Sequence, residues 1–293
     1  MSLPAFEYVE PESLKEACRL LETQGAQAHV LAGGTDLLAA LKERTKDAAL
    51  LVDLHAIPHL DQIRYSDEGG LTVGALVTLQ RLATDPLVTA KYPILAQAAL
   101  SVGSPQLRAM GTVGGNLCQD THCMFFNRPT AVRESVEPCH KLGGAVCHVV
   151  SGSDDCWATY AGDVAPALMV LGARVKIAQP AGETLLPLHE LFSFDGHEPH
   201  TLRRGQLVSE VQVPPPPPRA GGVYLKLRQR ETLDYPLLGV AVHLEMEEGD
   251  DVCLQASVAL TAVDKAPVSI EAAGNLAGKK QSLPPKKHGN IPL

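Results

Sequence analysis

Apolar and polar positions alternate along this chain in two rhythms, and the change between them marks its organisation. Over residues 13–22, Leu14, Ala17, Cys18 and Leu21 recur at helical spacing and predict an amphipathic helix. The apolar run His29 to Ala32 predicts a short strand that enters Gly33-Gly34-Thr35-Asp36 and then a helix from Leu37 to Leu41. A second apolar run, Ala49 to Leu54, predicts a buried strand. Strand, helix and strand in that order predict a parallel sheet with helical cover. Beyond position 60 the pattern predicts a strand at 71–75 and helices near 78–84 and 93–102.

Residues 118–160 carry neither rhythm, and a structureless stretch of that length inside a compact domain points to function. After it, Gly162-Asp163-Val164-Ala165-Pro166 opens a helix, and Arg174 to Ile177 reads as a further strand. From about 180 the β/α rhythm is gone; strands are predicted at 206–213, 223–229, 237–246 and 252–262, as in a smaller α/β domain. Five prolines at 214–218 predict a stiff exposed connection, since proline cannot donate to a sheet ladder. The expected division is 1–178 (subdomains of about 1–56 and 57–178, with the insert 118–160), then 179–275, then a flexible basic tail at 276–293.

Composition narrows the class. The 293 residues are 45% apolar and 20% charged, with a formal net charge of −8. An acidic balance argues against nucleic acid as the main partner, because phosphate backbones need a basic footprint. No apolar stretch of about 18 residues predicts a membrane span. The beginning, MSLPAFEYVEPESLKEA, offers no basic and apolar leader. Five of the seven cysteines, Cys118, Cys123, Cys139, Cys147 and Cys156, fall between positions 118 and 156. An odd number of thiols without a leader points away from a secreted disulfide scaffold, toward metal or redox chemistry.

Two glycine loops are candidate phosphate cradles. LAGGTDLL lies at a strand-to-helix junction, where backbone N–H groups and the helix dipole favour an anion. GTVGGN repeats that chemistry and adds an amide at Asn116. Neither is a G-x-G-x-x-G fingerprint, so a nicotinamide-binding Rossmann fold is not supported. Each loop is equally readable as an ordinary tight turn.

Cys123, Cys139, Cys147 and Cys156 are separated by sixteen, eight and nine positions. Four thiolates complete the ligand set of a [4Fe–4S] cluster, a [2Fe–2S] cluster or tetrahedral zinc. The wide steps match neither a ferredoxin run nor a zinc ribbon, and a metal would fold such a loop from several directions. Cys118 reads as a buried neighbour of the second glycine loop, Cys18 and Cys253 as core. His122, His140 and His148 read as packing or surface residues, with replacement of a thiolate by one of them left open.

LAGGTDLL, TVGGN and GDVAPAL, in that order and at that distance, resemble the flavin subunits of the xanthine dehydrogenase family of molybdenum enzymes. QRETLDYPLLGVAV resembles the C-terminal flavoprotein domain of those subunits. The cysteine insert, with GNLCQDTHC before it and ATYAGDVAPALMVLGA after it, resembles the β subunits of 4-hydroxybenzoyl-CoA reductases; the likeness spans about 5–270. The resemblance implies an α+β, two-subdomain FAD-binding fold of the PCMH or vanillyl-alcohol-oxidase type, followed by the smaller domain. It implies FAD held by Leu31, Ala32, Gly33, Gly34, Thr35, Asp36 and Leu37, by Thr112, Val113, Gly114, Gly115 and Asn116, by Asp163 and by Val102. It further implies a [4Fe–4S] cluster on the four spaced cysteines. The partners implied are a subunit with the molybdenum cofactor and one with two [2Fe–2S] clusters, in a dimer of heterotrimers fed by a low-potential donor such as ferredoxin. A cytoplasmic, anaerobic aromatic metabolism would follow. Two other expectations remain open: a flavin subunit of a molybdenum hydroxylase working oxidatively, and a zinc-stabilised scaffold without activity. No general acid or base is assigned. Family members continue into a further helical segment, where this chain has AGKKQSLPPKKHGNIPL.

Overall fold

Strand register divides the chain into three sheets in a computed structural model, which describes residues 2–280 apart from Thr232. In the first unit β1 (Glu7–Val9), α1 (Leu14–Gln24), β2 (Ala28–Leu31), α2 (Leu37–Lys42) and β3 (Leu50–Asp53) follow one another. The three strands pair in parallel in the order β1-β3-β2. Ser13 caps α1 by accepting from Glu16 N–H, and Ala17, Cys18 and Leu21 are buried against Leu50, Val52 and Leu54.

The second unit opens with the hairpin β4 (Ile63–Ser66) and β5 (Gly70–Gly74). Short helices follow: α3 (Leu79–Thr84), α4 (Pro86–Lys91), α5 (Pro93–Leu100), α6 (Pro105–Met110) and α7 (Val113–Leu117). Three of them have proline in the first turn, where a missing N–H costs nothing. The insert contains α8 (Thr130–Arg133), and α9 (Val164–Val170) lies beyond it. Then β6 (Arg174–Gln179), β7 (Gly182–Pro187) and β8 (Leu207–Val213) join the opening hairpin in an antiparallel sheet, β4-β5-β8-β6-β7. A third sheet, β12-β11-β10-β9, is built from β9 (Ala220–Leu227), β10 (Leu238–Met246), β11 (Cys253–Thr261) and β12 (Val268–Ser269).

Two differences from the sequence expectation have clear causes. β8 inserts between β5 and β6, so the second sheet runs past the boundary expected at 178 to Val213. Valines at alternate positions of β8, Val211 and Val213, fill the core of that sheet, and local periodicity does not say which sheet they enter. The start of the expected tail is paired: Cys253 N–H donates to Lys279 O at 3.1 Å, and Lys280 bridges Val252. Residues 281–293 of that expectation lie outside the described residues. Among the described residues no helix is long and apolar enough to cross a membrane.

Candidate functional site

The two glycine loops meet. The first, between β2 and α2, turns at Gly34 with φ +68°, a conformation that favours glycine. A Cβ on Gly33 would lie 1.9 Å from Met110 O, so only glycine lets this loop close on the end of α6. The second is pinned from behind: Val113 N–H donates to Val77 O and Gly114 N–H to Ala75 O, both at 2.9 Å. Thr112 caps α7 by accepting from Gly115 N–H at 3.1 Å.

Between the loops lie two cavities, of about 300 Å³ and about 340 Å³. They share Thr35, Asp36, Thr112, Gly115, Gln119 and Tyr235 and therefore form one elongated cleft. Ala32, Gly33, Gly34, Leu37 and Gly114 line one end; Val102, Asn116 and Asp163 line the other. Leu31 and Val113 line neither: Leu31 pairs with Asp53 in the sheet, and Val113 is buried in the core. Asn116 Oδ1 accepts from Val164 N–H at 3.2 Å, tying α7 to α9. Gly114 also does packing work, since a Cβ there would meet Ala75 Cβ at 2.8 Å, whereas Gly115 faces the cleft.

The third sheet and the connection before β10 supply residues to which the sequence assigns no role. Tyr224 Oη donates to Asp163 Oδ1 at 2.7 Å, and Lys226 Nζ donates to Asp163 Oδ2 at 2.9 Å and to Ser101 O at 3.1 Å. Burial raises the Asp163 carboxyl, against the pull of Lys226 and then Tyr224. Tyr235, from the β9–β10 connection, stacks on His122 with ring centroids 4.3 Å apart. Burial, and then the charges of Asp36 and Glu43, push its phenol up to about 12. Gln119 Nε2 is buried without a hydrogen-bond partner, and its residue lines both cavities. An orphaned donor at the middle of a cleft is what a polar ligand would satisfy.

The insert folds over this cleft. His122 N–H donates to Thr159 O at 2.7 Å and Thr159 N–H to His122 O at 2.9 Å, closing the insert at its base. Cys123, Cys139, Cys147 and Cys156 all line one cavity, with Phe125, Phe126 and Trp157 around them. Among the described residues no three His, Cys, Asp or Glu side chains are grouped to hold a single metal ion. Phe126 N–H donates to Cys123 Sγ at 3.5 Å and Val150 N–H to Cys147 Sγ at 3.4 Å. Burial raises the Cys147 thiol, but the N–H groups of Val150, Val149 and Trp157 outweigh it and hold the thiol below its ordinary value. Cys118 belongs to the other side: it lines the flavin-sized cleft, and burial pushes its thiol up to about 12. His140 and His148 bond to backbone carbonyls of the insert. Phe126 alone of the insert's aromatic residues lines both the cysteine cavity and the cleft.

Residues 4–216 match the FAD binding domain of molybdopterin dehydrogenases, and the chain belongs to that family. Its fold is the FAD-binding domain of PCMH type. Among its relatives, the aldehyde oxidoreductase FAD-binding subunit PaoB of Escherichia coli strain K12 is 34% identical, across 86% of this chain and 81% of that protein. The carbon monoxide dehydrogenase medium chain of Afipia carboxidovorans is 31% identical, across 93% and 79%. A chain of the Cu,Mo-CO dehydrogenase crystal structure superposes with a TM-score of 0.75 at 28% identity, over 96% of this chain and 83% of that one. A chain of quinoline 2-oxidoreductase from Pseudomonas putida 86 gives 0.73, also at 28% identity. The chain is thus an FAD-binding oxidoreductase subunit of the molybdenum hydroxylase family.

Proposed function

We propose that this chain relays electrons within a molybdenum hydroxylase-type complex, and that its insert adds a [4Fe–4S] cluster to the flavin relay. The observation that carries the reading is the convergence of Cys123, Cys139, Cys147 and Cys156 on one cavity whose wall, Phe126, also lines the cleft. Four thiols on one cavity are a ligand set for a [4Fe–4S] cluster, with tetrahedral zinc as the alternative that metal analysis separates from it. The N–H groups on Cys123 and Cys147 are among the contacts that set cluster potentials.

FAD, when bound, stores two electrons and exchanges them singly with iron–sulfur centres; the protein supplies binding, orientation and electrostatics. The loops around Gly33–Thr35 and Thr112–Gly115 bring backbone close enough for a pyrophosphate. Gln119 offers the unpaired donor. Tyr224, Lys226 and Asp163 fix a charged floor, and Tyr235 stacked on His122 lines the cleft. No side chain is given an acid–base role.

The partners of this reading are a subunit with the molybdenum cofactor and one with [2Fe–2S] clusters, assembled as a dimer of heterotrimers in the cytoplasm. The relatives' names, aldehyde oxidoreductase and carbon monoxide dehydrogenase, favour the oxidative direction. A second reading, reductive dehydroxylation of 4-hydroxybenzoyl-CoA with electrons from a ferredoxin, is favoured by the cysteine insert. Anaerobic addition of aldehydes to the purified complex tests both: loss of flavin absorbance supports oxidation. Reduction only by ferredoxin, with reoxidation by the acyl-CoA, supports the second reading. Response to neither class contradicts both.

A further inference from the structure

The wall between the two cavities carries a charge pair with a buried cation and a half-buried carboxylate. Lys141 lies in the 3-10 turn His140–Leu142 directly after Cys139. Leu142 N–H at 2.8 Å and Gly144 N–H at 2.9 Å both donate to Cys139 O and hold the turn closed. A Cβ on Gly144 would lie 1.7 Å from Pro138 O, so the turn needs glycine there. The turn sends the Lys141 side chain inward, where it is 4% exposed and lines the cysteine cavity. Its ammonium donates to Asp120 Oδ1 at 2.7 Å and lies 5.2 Å from the Phe126 ring centroid. Asp120 and Phe126 line the flavin-sized cleft, so this ion pair crosses the wall.

We propose that Lys141 is an electrostatic positioning residue for electron exchange: its charge raises the reduction potential of the cluster on the four cysteines, and Asp120 moderates that effect from the flavin side. The inference rests on the cluster reading above. Reduction adds one negative charge to a cluster, so a nearby cation stabilises the reduced form more than the oxidised one. In a protein interior that interaction is screened far less than at a surface. The step is a one-electron exchange between two centres; Lys141 forms no bond and transfers no proton. Lys46 lies 3.7 Å from Asp120 with its side chain 37% exposed, and Lys265, over Trp157, pairs with the exposed Asp155. Arg133, also buried, lies 5.6 Å from the Phe126 ring centroid, but among these cations Lys141 is the one that lines the cysteine cavity.

The test is a redox titration of the purified complex followed by electron paramagnetic resonance, with iron and flavin counted in each variant. Lys141→Gln is expected to shift the cluster's midpoint potential downward, Lys141→Arg to leave it near wild type, and Asp120→Asn to shift it upward. A merely structural role would lower iron content without opposite shifts. Unmoved potentials at full iron content in Lys141→Gln and Asp120→Asn, or shifts of both in one direction, overturn the inference. Should Lys141→Gln lose its iron, Asp120→Asn decides: an upward shift supports the role and an unmoved potential refutes it. A wild-type complex without the additional iron defeats the cluster reading itself, a failure visible before any variant is made.

Discussion

Lys226 Nζ donates to Asp163 Oδ2 at 2.9 Å, with both side chains 4% exposed, and this bond joins the third sheet to the floor of the flavin cleft. Asp163 precedes α9 and Lys226 sits on β9, so 63 residues of chain separate two groups that act as one. Replacing Lys226 by Met strands a buried carboxylate. Loss of about 3–5 kcal/mol is expected, the usual cost of breaking such a pair from one side. Thermal unfolding together with released flavin fluorescence measures it; unchanged stability and full flavin would show that the pair does not hold the floor.

Neighbouring glycines in the second loop should fail differently. Gly114 is packed against Ala75, so Gly114→Val is expected to cost about 1–3 kcal/mol through overpacking. Gly115 faces the cleft, and a Cβ there meets only Thr112 Oγ1, at 3.0 Å. Gly115→Val should therefore keep the fold and lose flavin. Flavin absorbance at matched melting temperature separates the two outcomes.

Cys139 belongs to the cysteine cavity and not to the cleft. Cys139→Ser is expected to remove one cluster's worth of iron while flavin stays bound. Iron unchanged in this variant would show that Cys139 is not a ligand.

His200 gives a pH dependence with a defined sign. Its Nε2 lies 3.1 Å from Leu117 O, at the end of α7, and burial lowers its pKa, with the bond to Leu117 opposing. The unfolded chain takes up the proton more readily than the folded one. The stability this group contributes is therefore present above about pH 6.5 and is lost as pH falls below that value and through the folded pKa. The lost stability amounts to at most about 1.4 kcal/mol per pH unit. His200→Gln, which can still donate to Leu117, should flatten the difference when melting is measured between pH 7.5 and 5.

Much of this was legible in the residues, and what was not has a common cause. Both glycine loops, the helix after Asp163 and the four spaced cysteines stand out because each depends on local spacing, and the structure gathers their side chains as described. Tyr224, Lys226 and Lys141 have no local signature, since their roles arise only when β9 and the insert fold onto the cleft, whereas Tyr235 and Gln119 lie in recognisable segments whose side-chain roles the sequence does not assign. That the second sheet continues past 178 was not legible either, because the pairing of β8 with β5 and β6 is non-local.

The most direct test of the account is a metal and flavin analysis of the full chain purified without oxygen. One FAD and about four iron atoms per chain, with no zinc, are expected for a cleft and a cysteine cavity both serving electron transfer. One zinc per chain with no iron, or a chain that binds no flavin, would contradict it.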